Sequence, residues 1–193
     1  MLSRQPAMEP TVGFLTVIEK DGAGWLGGYL VLNQRARPVE FHCTAPIKPN
    51  RAQEILYGPT LRPFVYGEQI GTTLIQKAKS KPQLIFTDTA PAMSARDLIK
   101  TPMGLVGLPT AKQPSEPGDI NTSHRLDGAH STTLSEPHWV YVQLGENEIT
   151  LQPQHADDQA LIVRHWTEME LQLDLSEPFE RVHQALAEAY QDA

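Results

Sequence analysis

Along the first third of the chain, apolar positions come in short runs broken by turn residues, the pattern of strands rather than helices. Residues 12–18 read VGFLTVI, rich in β-branched side chains and free of charge, which predicts a strand covered on both faces. Asp21, Gly22, Ala23 and Gly24 mark a turn, and a second strand follows from Trp25 to Asn33 with Gly27 and Gly28 inside it. Paired glycines in a strand point to a bulge or to a neighbour close against the backbone. After the polar turn 34–37, Val39, Phe41 and Cys43 alternate with Glu40, His42 and Thr44, giving a third strand with one apolar and one polar face. The apolar set is expected to face the core, so Cys43 is expected to be buried and inert. Together these strands read as an antiparallel meander.

Beyond Pro46-Ile47-Lys48-Pro49 the period lengthens. Asn50 with Gln53 three positions later forms a capping box, and it opens a short helix over 51–57 that Gly58-Pro59 stops. A second helix is expected over about 63–79, with Phe64, Gly67, Gly71, Leu74, Ile75 and Ala78 on one face. Residues 83–87 predict a fourth strand that ends at Asp88, and Ser94 is expected to cap another short helix through Lys100. From 109 to 138 only five of thirty residues are apolar and four are prolines, so this stretch reads as a disordered linker. Pattern returns at 139: WVYVQL and NEITLQ around Gly145-Glu146 predict a hairpin. Residues 157–175 fit helix or strand. The chain closes on an amphipathic helix capped by Ser176, with Phe179, Val182, Leu186, Ala189 and Tyr190 on one side.

The fold class is therefore α+β: a β-meander, helices and further strands, and a C-terminal amphipathic helix. Its expected parts are a flexible N-terminus (1–10), an α+β core (11–108), the linker (109–138), and a hairpin-plus-helix unit (139–193) that packs on the core.

Composition changes this picture little. The 193 residues suffice for one sizeable core. A single cysteine rules out an intramolecular disulfide and fits a reducing, cytoplasmic setting. The longest apolar stretch without charge, 25–33, is too short for a bilayer, and residues 1–10 lack the apolar region of a secretory signal. Charge is more telling. Residues 1–110 hold twelve Lys/Arg against eight Asp/Glu, whereas 111–193 hold four against fifteen. The C-terminal helix laid on the meander would set opposite charges across a seam, with Glu177, Glu180 and Glu188 as its acidic side. Nucleic acid is not an expected partner, because the basic residues of the first half are scattered with few aromatics between them.

Chemistry-bearing residues are sparse. Asp88, at the carboxyl end of a strand, is a catalytic candidate together with Glu68 and His42. Lys48 and Arg51, at a helix start, are anion-binding candidates. His155, Asp157 and Asp158 are the metal candidates; His124, His130 and His138 lack the spacing of a compact zinc site. No Walker loop, GxGxxG, HExxH or GxSxG occurs. A meander, a helical region and then a strand ending in Asp resembles the layout of ribonuclease H. That resemblance implies metal ions shared with an acid on the first strand, yet 12–18 contains none and Glu19 lies just after it. The same early order is similar to roadblock or longin-type modules, which bind other proteins. The leading expectation is a non-enzymatic interaction or assembly module, without a cofactor, whose partner is another protein or itself. The alternatives are a metal-dependent phosphoester hydrolase and an anion- or nucleotide-binding regulator.

Overall fold

The structure, a computed structural model, describes residues 9–107 and 139–190; the expected linker and most of the expected flexible N-terminus lie outside them. Strands β1 (Thr11–Lys20), β2 (Gly24–Asn33) and β3 (Pro38–Cys43) form the antiparallel meander that the alternation predicts. β4 (Leu84–Thr87) and β5 (Met103–Val106) join it parallel to β1, so the centre of the sheet is parallel. The hairpin β6 (Val140–Leu144) and β7 (Asn147–Leu151) then adds through β7, antiparallel to β5. The order is β3-β2-β1-β4-β5-β7-β6, a mixed sheet in an α+β fold. β5 escaped the sequence reading because its four residues, Met-Gly-Leu-Val, are too short to show a period.

Helices cover both faces, which is why β1 has no polar side. One layer comprises α1 (Arg51–Tyr57), α2 (Leu61–Pro63), a π-helical stretch (Phe64–Gly71) and α3 (Thr72–Lys77), with the 3₁₀ stretch Ala90–Asp97 beside them. It packs on Leu15, Val17, Tyr29, Val31 and Ile85. The other layer, α4 (Asp158–Glu168) and α5 (Glu177–Ala189), packs on Phe14, Leu30, Phe86, Val142 and Ile149. The ambiguous segment thus resolves as helix up to Glu168. Gly27 and Gly28 make this double layer possible. A Cβ on Gly27 would stand 2.1 Å from Ile70 Cγ2, and one on Gly28 would stand 2.4 Å from Val182 Cγ1, on the opposite face.

The helix expected over 63–79 is present but winds differently. Thr72 Oγ1 donates to the Gly67 carbonyl 3.1 Å away, inside the widened π turn. Gly67 itself meets Ser94 and Ala95 of the 3₁₀ stretch, whereas Gly71 on the same side meets Leu15 of β1. Ser94 therefore caps nothing: its hydroxyl donates to the Pro63 and Pro91 carbonyls. α1 is as expected, with Asn50 Oδ1 accepting from Gln53 N and Gln53 Oε1 accepting from Asn50 N. α5 starts where expected, but Ser176 makes no side-chain cap.

The facing of β3 is the main correction. Val39 and Phe41 are 51% and 39% exposed, and Cys43 is exposed rather than buried. Alternation identifies residues that share a face, but not which face is covered. α5 lies over β1 and β2, leaving the Phe41 side of the edge strand open. Glu40 is instead drawn under the turn after α3, where it accepts the N–H groups of Lys79 (2.9 Å) and Ser80 (2.8 Å). The charged seam also differs. Glu177 pairs within its own helix with Arg181 at 2.6 Å, and Arg181 reaches the meander through the Ala36 carbonyl. Among the described residues no helix is long and apolar enough to cross a membrane.

Candidate functional site

β4 ends at Thr87, so Asp88 leaves the sheet at the carboxyl end of a parallel strand, the end at which open sheets hold ligands. Leu15 of β1 pairs with Thr87, which sets Thr16 beside Asp88. Thr16 is on the α5 side of β1 and fully buried. From α5, one turn beyond Phe179, His183 projects onto the same point. Its Nε2 stands 3.1 Å from Asp88 Oδ2 and 3.0 Å from Thr16 Oγ1. Asp88 Oδ1 accepts from the Thr89 hydroxyl at 2.8 Å. The hydrogen bond to Asp88 raises the His183 pKa above its ordinary 6.5; burial opposes this, and the charges of Asp88 and Glu180 add to it.

This cluster lies in a cleft of about 490 Å³ that Glu146, Glu148, Asp174 and Glu180 also line. Both contacts of His183 are made by the same nitrogen, so they do not form a relay, in which a base uses one ring nitrogen for its orienting carboxylate and the other for the nucleophile. Thr16, with no accessible surface, is closed to a substrate. What the arrangement does achieve is attachment: an imidazole held between a carboxylate and a buried hydroxyl pins α5 to the ends of β1 and β4.

The other sequence candidates are elsewhere. Glu68 is exposed on the π-helical stretch and His42 pairs with Glu40 at 2.6 Å, so neither reaches the Asp88 cleft. The N–H groups of Lys79 and Ser80, with help from His42, lower the Glu40 pKa to about 2. Lys48 and Arg51 are exposed; Arg51 pairs with Glu54 at 3.1 Å, and α1 is seven residues long. Asp158 is buried in a two-pronged pair with Arg96 (2.6 and 2.9 Å), and His155 bonds Asp97 at 2.6 Å, leaving Asp157 exposed apart from them. Among the described residues no group of three or more His, Cys, Asp or Glu side chains is placed to hold a metal ion.

Sequence reasoning found Asp88 but missed His183, 95 residues away and on the flank of an amphipathic helix. No motif links the two; only the parallel pairing of β1 with β4 and the seating of α5 bring them together. No protein-family model matches the chain, and no curated protein matches it.

Proposed function

We propose that this chain is a non-enzymatic interaction and assembly module, working in a reducing, cytoplasmic setting. The observation that carries this reading is helix α1. It buries none of its seven residues, yet presents Ile55 and Leu56 at 67% and 81% exposure. A helix this short does not hold itself in water. Its capping box and the stacking of Tyr57 on Phe64 (ring centroids 4.3 Å apart) keep it formed. A preformed apolar knob is what a partner's groove binds, because its ordering entropy is already spent. Val39 and Phe41 on the open edge strand add exposed apolar surface. The site that the ribonuclease H layout would use supports the same reading. Where that layout needs an acid on the first strand, this chain has buried Thr16, and a side chain of its own occupies the point beside Asp88.

The test is a double substitution, Ile55→Asp with Leu56→Asp. Both side chains face water, so the melting temperature should hold while partner capture from the native host is lost. Capture undiminished by the pair would remove α1 from the account.

A second reading rests on one observation: the His183 ring is 44% exposed in a cleft of about 490 Å³. An imidazole oriented by a carboxylate is suited to proton transfer with a bound small molecule. The acidic lining favours a neutral or cationic ligand over a free phosphoester. Saturation of His183 chemical shifts by such a ligand, abolished by Asp88→Asn, would favour this reading.

A further inference from the structure

We propose that the end of the sheet where the parallel strands begin is a docking surface for a short acidic segment of a partner protein. The proposal goes beyond the docking role of α1, which starts at the other end of β2, next to the bridge between Trp25 and Ile47. In sequence the basic residues of the first half are scattered, but the fold gathers five of them. Thr11, at the start of β1, pairs with Asn33 at the end of β2, and its carbonyl accepts Gln83 N at 3.0 Å. The turn between β2 and β3, which carries Arg35 and Arg37, therefore stands at the same end as the α3–β4 connection with Lys77, Lys79 and Lys81. Glu40 joins the two, because it lies on β3 shortly after Arg37 and accepts the N–H groups of Lys79 and Ser80.

All five cations are exposed. Among the described residues none of them makes an ion pair, whereas Arg51, Arg62, Arg96, Arg164 and Arg181 each do. Carboxylates beside them do not balance the charge. Glu40 is spent on the two N–H groups and on His42, and Glu177 on Arg181, which leaves Glu9, exposed just before β1. Surface cations are often no more than a solvated face. What distinguishes these is that both turns are fixed from within. Asn33 Oδ1 accepts Arg35 N at 3.0 Å and Arg37 N at 3.1 Å, as the Glu40 carboxylate accepts Lys79 N and Ser80 N. Cations on ordered turns lose less freedom when they meet an anion. Charge also selects the partner. The chain carries −7 overall, so a long polyanion such as nucleic acid would run on from these turns and be repelled. Neither 34–37 nor 77–81 contains an aromatic residue on which a base could stack. A short run of Asp and Glu keeps its charge on the five cations.

The test is fluorescence anisotropy of a labelled oligo-glutamate peptide titrated with the full chain. The peptide should bind, and added salt should weaken it. Lys77→Gln, Lys79→Gln and Lys81→Gln together should weaken binding about tenfold, the combined effect of three exposed contacts of modest strength. The three side chains face water, so the melting temperature of this variant should hold. Lys20→Gln with Lys48→Gln, exposed cations at the opposite end of the sheet, should leave binding unchanged. The Ile55 and Leu56 substitutions test the docking role of α1 separately, so neither failure implies the other. No binding of the peptide, or a loss as large in the Lys20 and Lys48 variant as in the triple one, overturns the proposal. A DNA duplex bound more tightly than the peptide overturns the partner class and makes this end a nucleic-acid surface.

Discussion

At the scale of single residues, glycines and one histidine account for much of the architecture. Gly67 shows this most sharply. A Cβ there would stand 1.9 Å from Ser94 Oγ and 2.6 Å from Ala95 N, the second a backbone atom that has little room to yield. Gly67→Ala should therefore destabilise by about 1–3 kcal/mol, the usual range for overpacking. Chemical denaturation would measure it, and an unchanged midpoint would show that the 3₁₀ stretch moves freely. His183 makes a prediction in pH. Its folded-state pKa lies above the unfolded 6.5, so its contribution is complete below 6.5 and is lost as pH rises through the folded value. The melting temperature should fall over that alkaline limb, and His183→Gln should flatten it. Glu40 has the opposite sign. Its pKa is lowered from 4.5 to about 2, so its contribution is present above 4.5 and disappears on acidification toward 2. Glu40→Gln should remove that acid-limb loss, as pH-dependent melting would show.

Elements are where sequence and structure agree best and where their disagreements have clear causes. The meander, α1, the hairpin and α5 all stand where pattern and capping signals put them, because each is specified by residues adjacent in sequence. What pattern could not supply was the environment of each face. Val39, Phe41 and Cys43 carry a core-like alternation, yet α5 passes over β1 and β2 and leaves them open. The π-helical turn was equally hidden, since the same glycines and apolar residues suit a regular helix. α5 itself buries Phe179, Val182 and Leu186 against β1 and β2. Leu186→Ala should cost about 2–5 kcal/mol, and deleting residues 176–193 should unfold the protein. Added salt should change stability little, because α5 is joined to the meander by apolar contacts and by the Arg181 and Lys20 bonds to backbone carbonyls. A truncated protein that melts like the full chain would make α5 a free appendage.

For the whole molecule, the long-range clusters decide what the Asp88 end of the sheet is built for, and these were the least legible in the sequence. Asp88 was visible as a strand-end carboxylate, but its partner His183 and the buried Thr16 became visible only once β1, β4 and α5 were assembled. The metal candidates were dispersed by the same assembly: Asp158 went to Arg96, and His155 to Asp97. The Arg96–Asp158 pair ties the 3₁₀ stretch to α4 across the sheet end. Asp158 is 4% exposed, so Arg96→Met should cost about 3–5 kcal/mol by stranding a buried charge. A loss below 1 kcal/mol would mean that water reaches the site.

Among the described residues, an acidic cleft closed at its base by the chain's own side chains contrasts with an apolar flank formed by α1. Which of them is used can be read in the native host by placing a photo-reactive residue at Leu56 in one version of the protein and at Glu180, on the cleft rim, in another. A discrete cross-linked species from position 56, with none from position 180, is the result this account predicts. Cross-links from position 180 with none from position 56 would contradict it and place the function in the Asp88–His183 cleft.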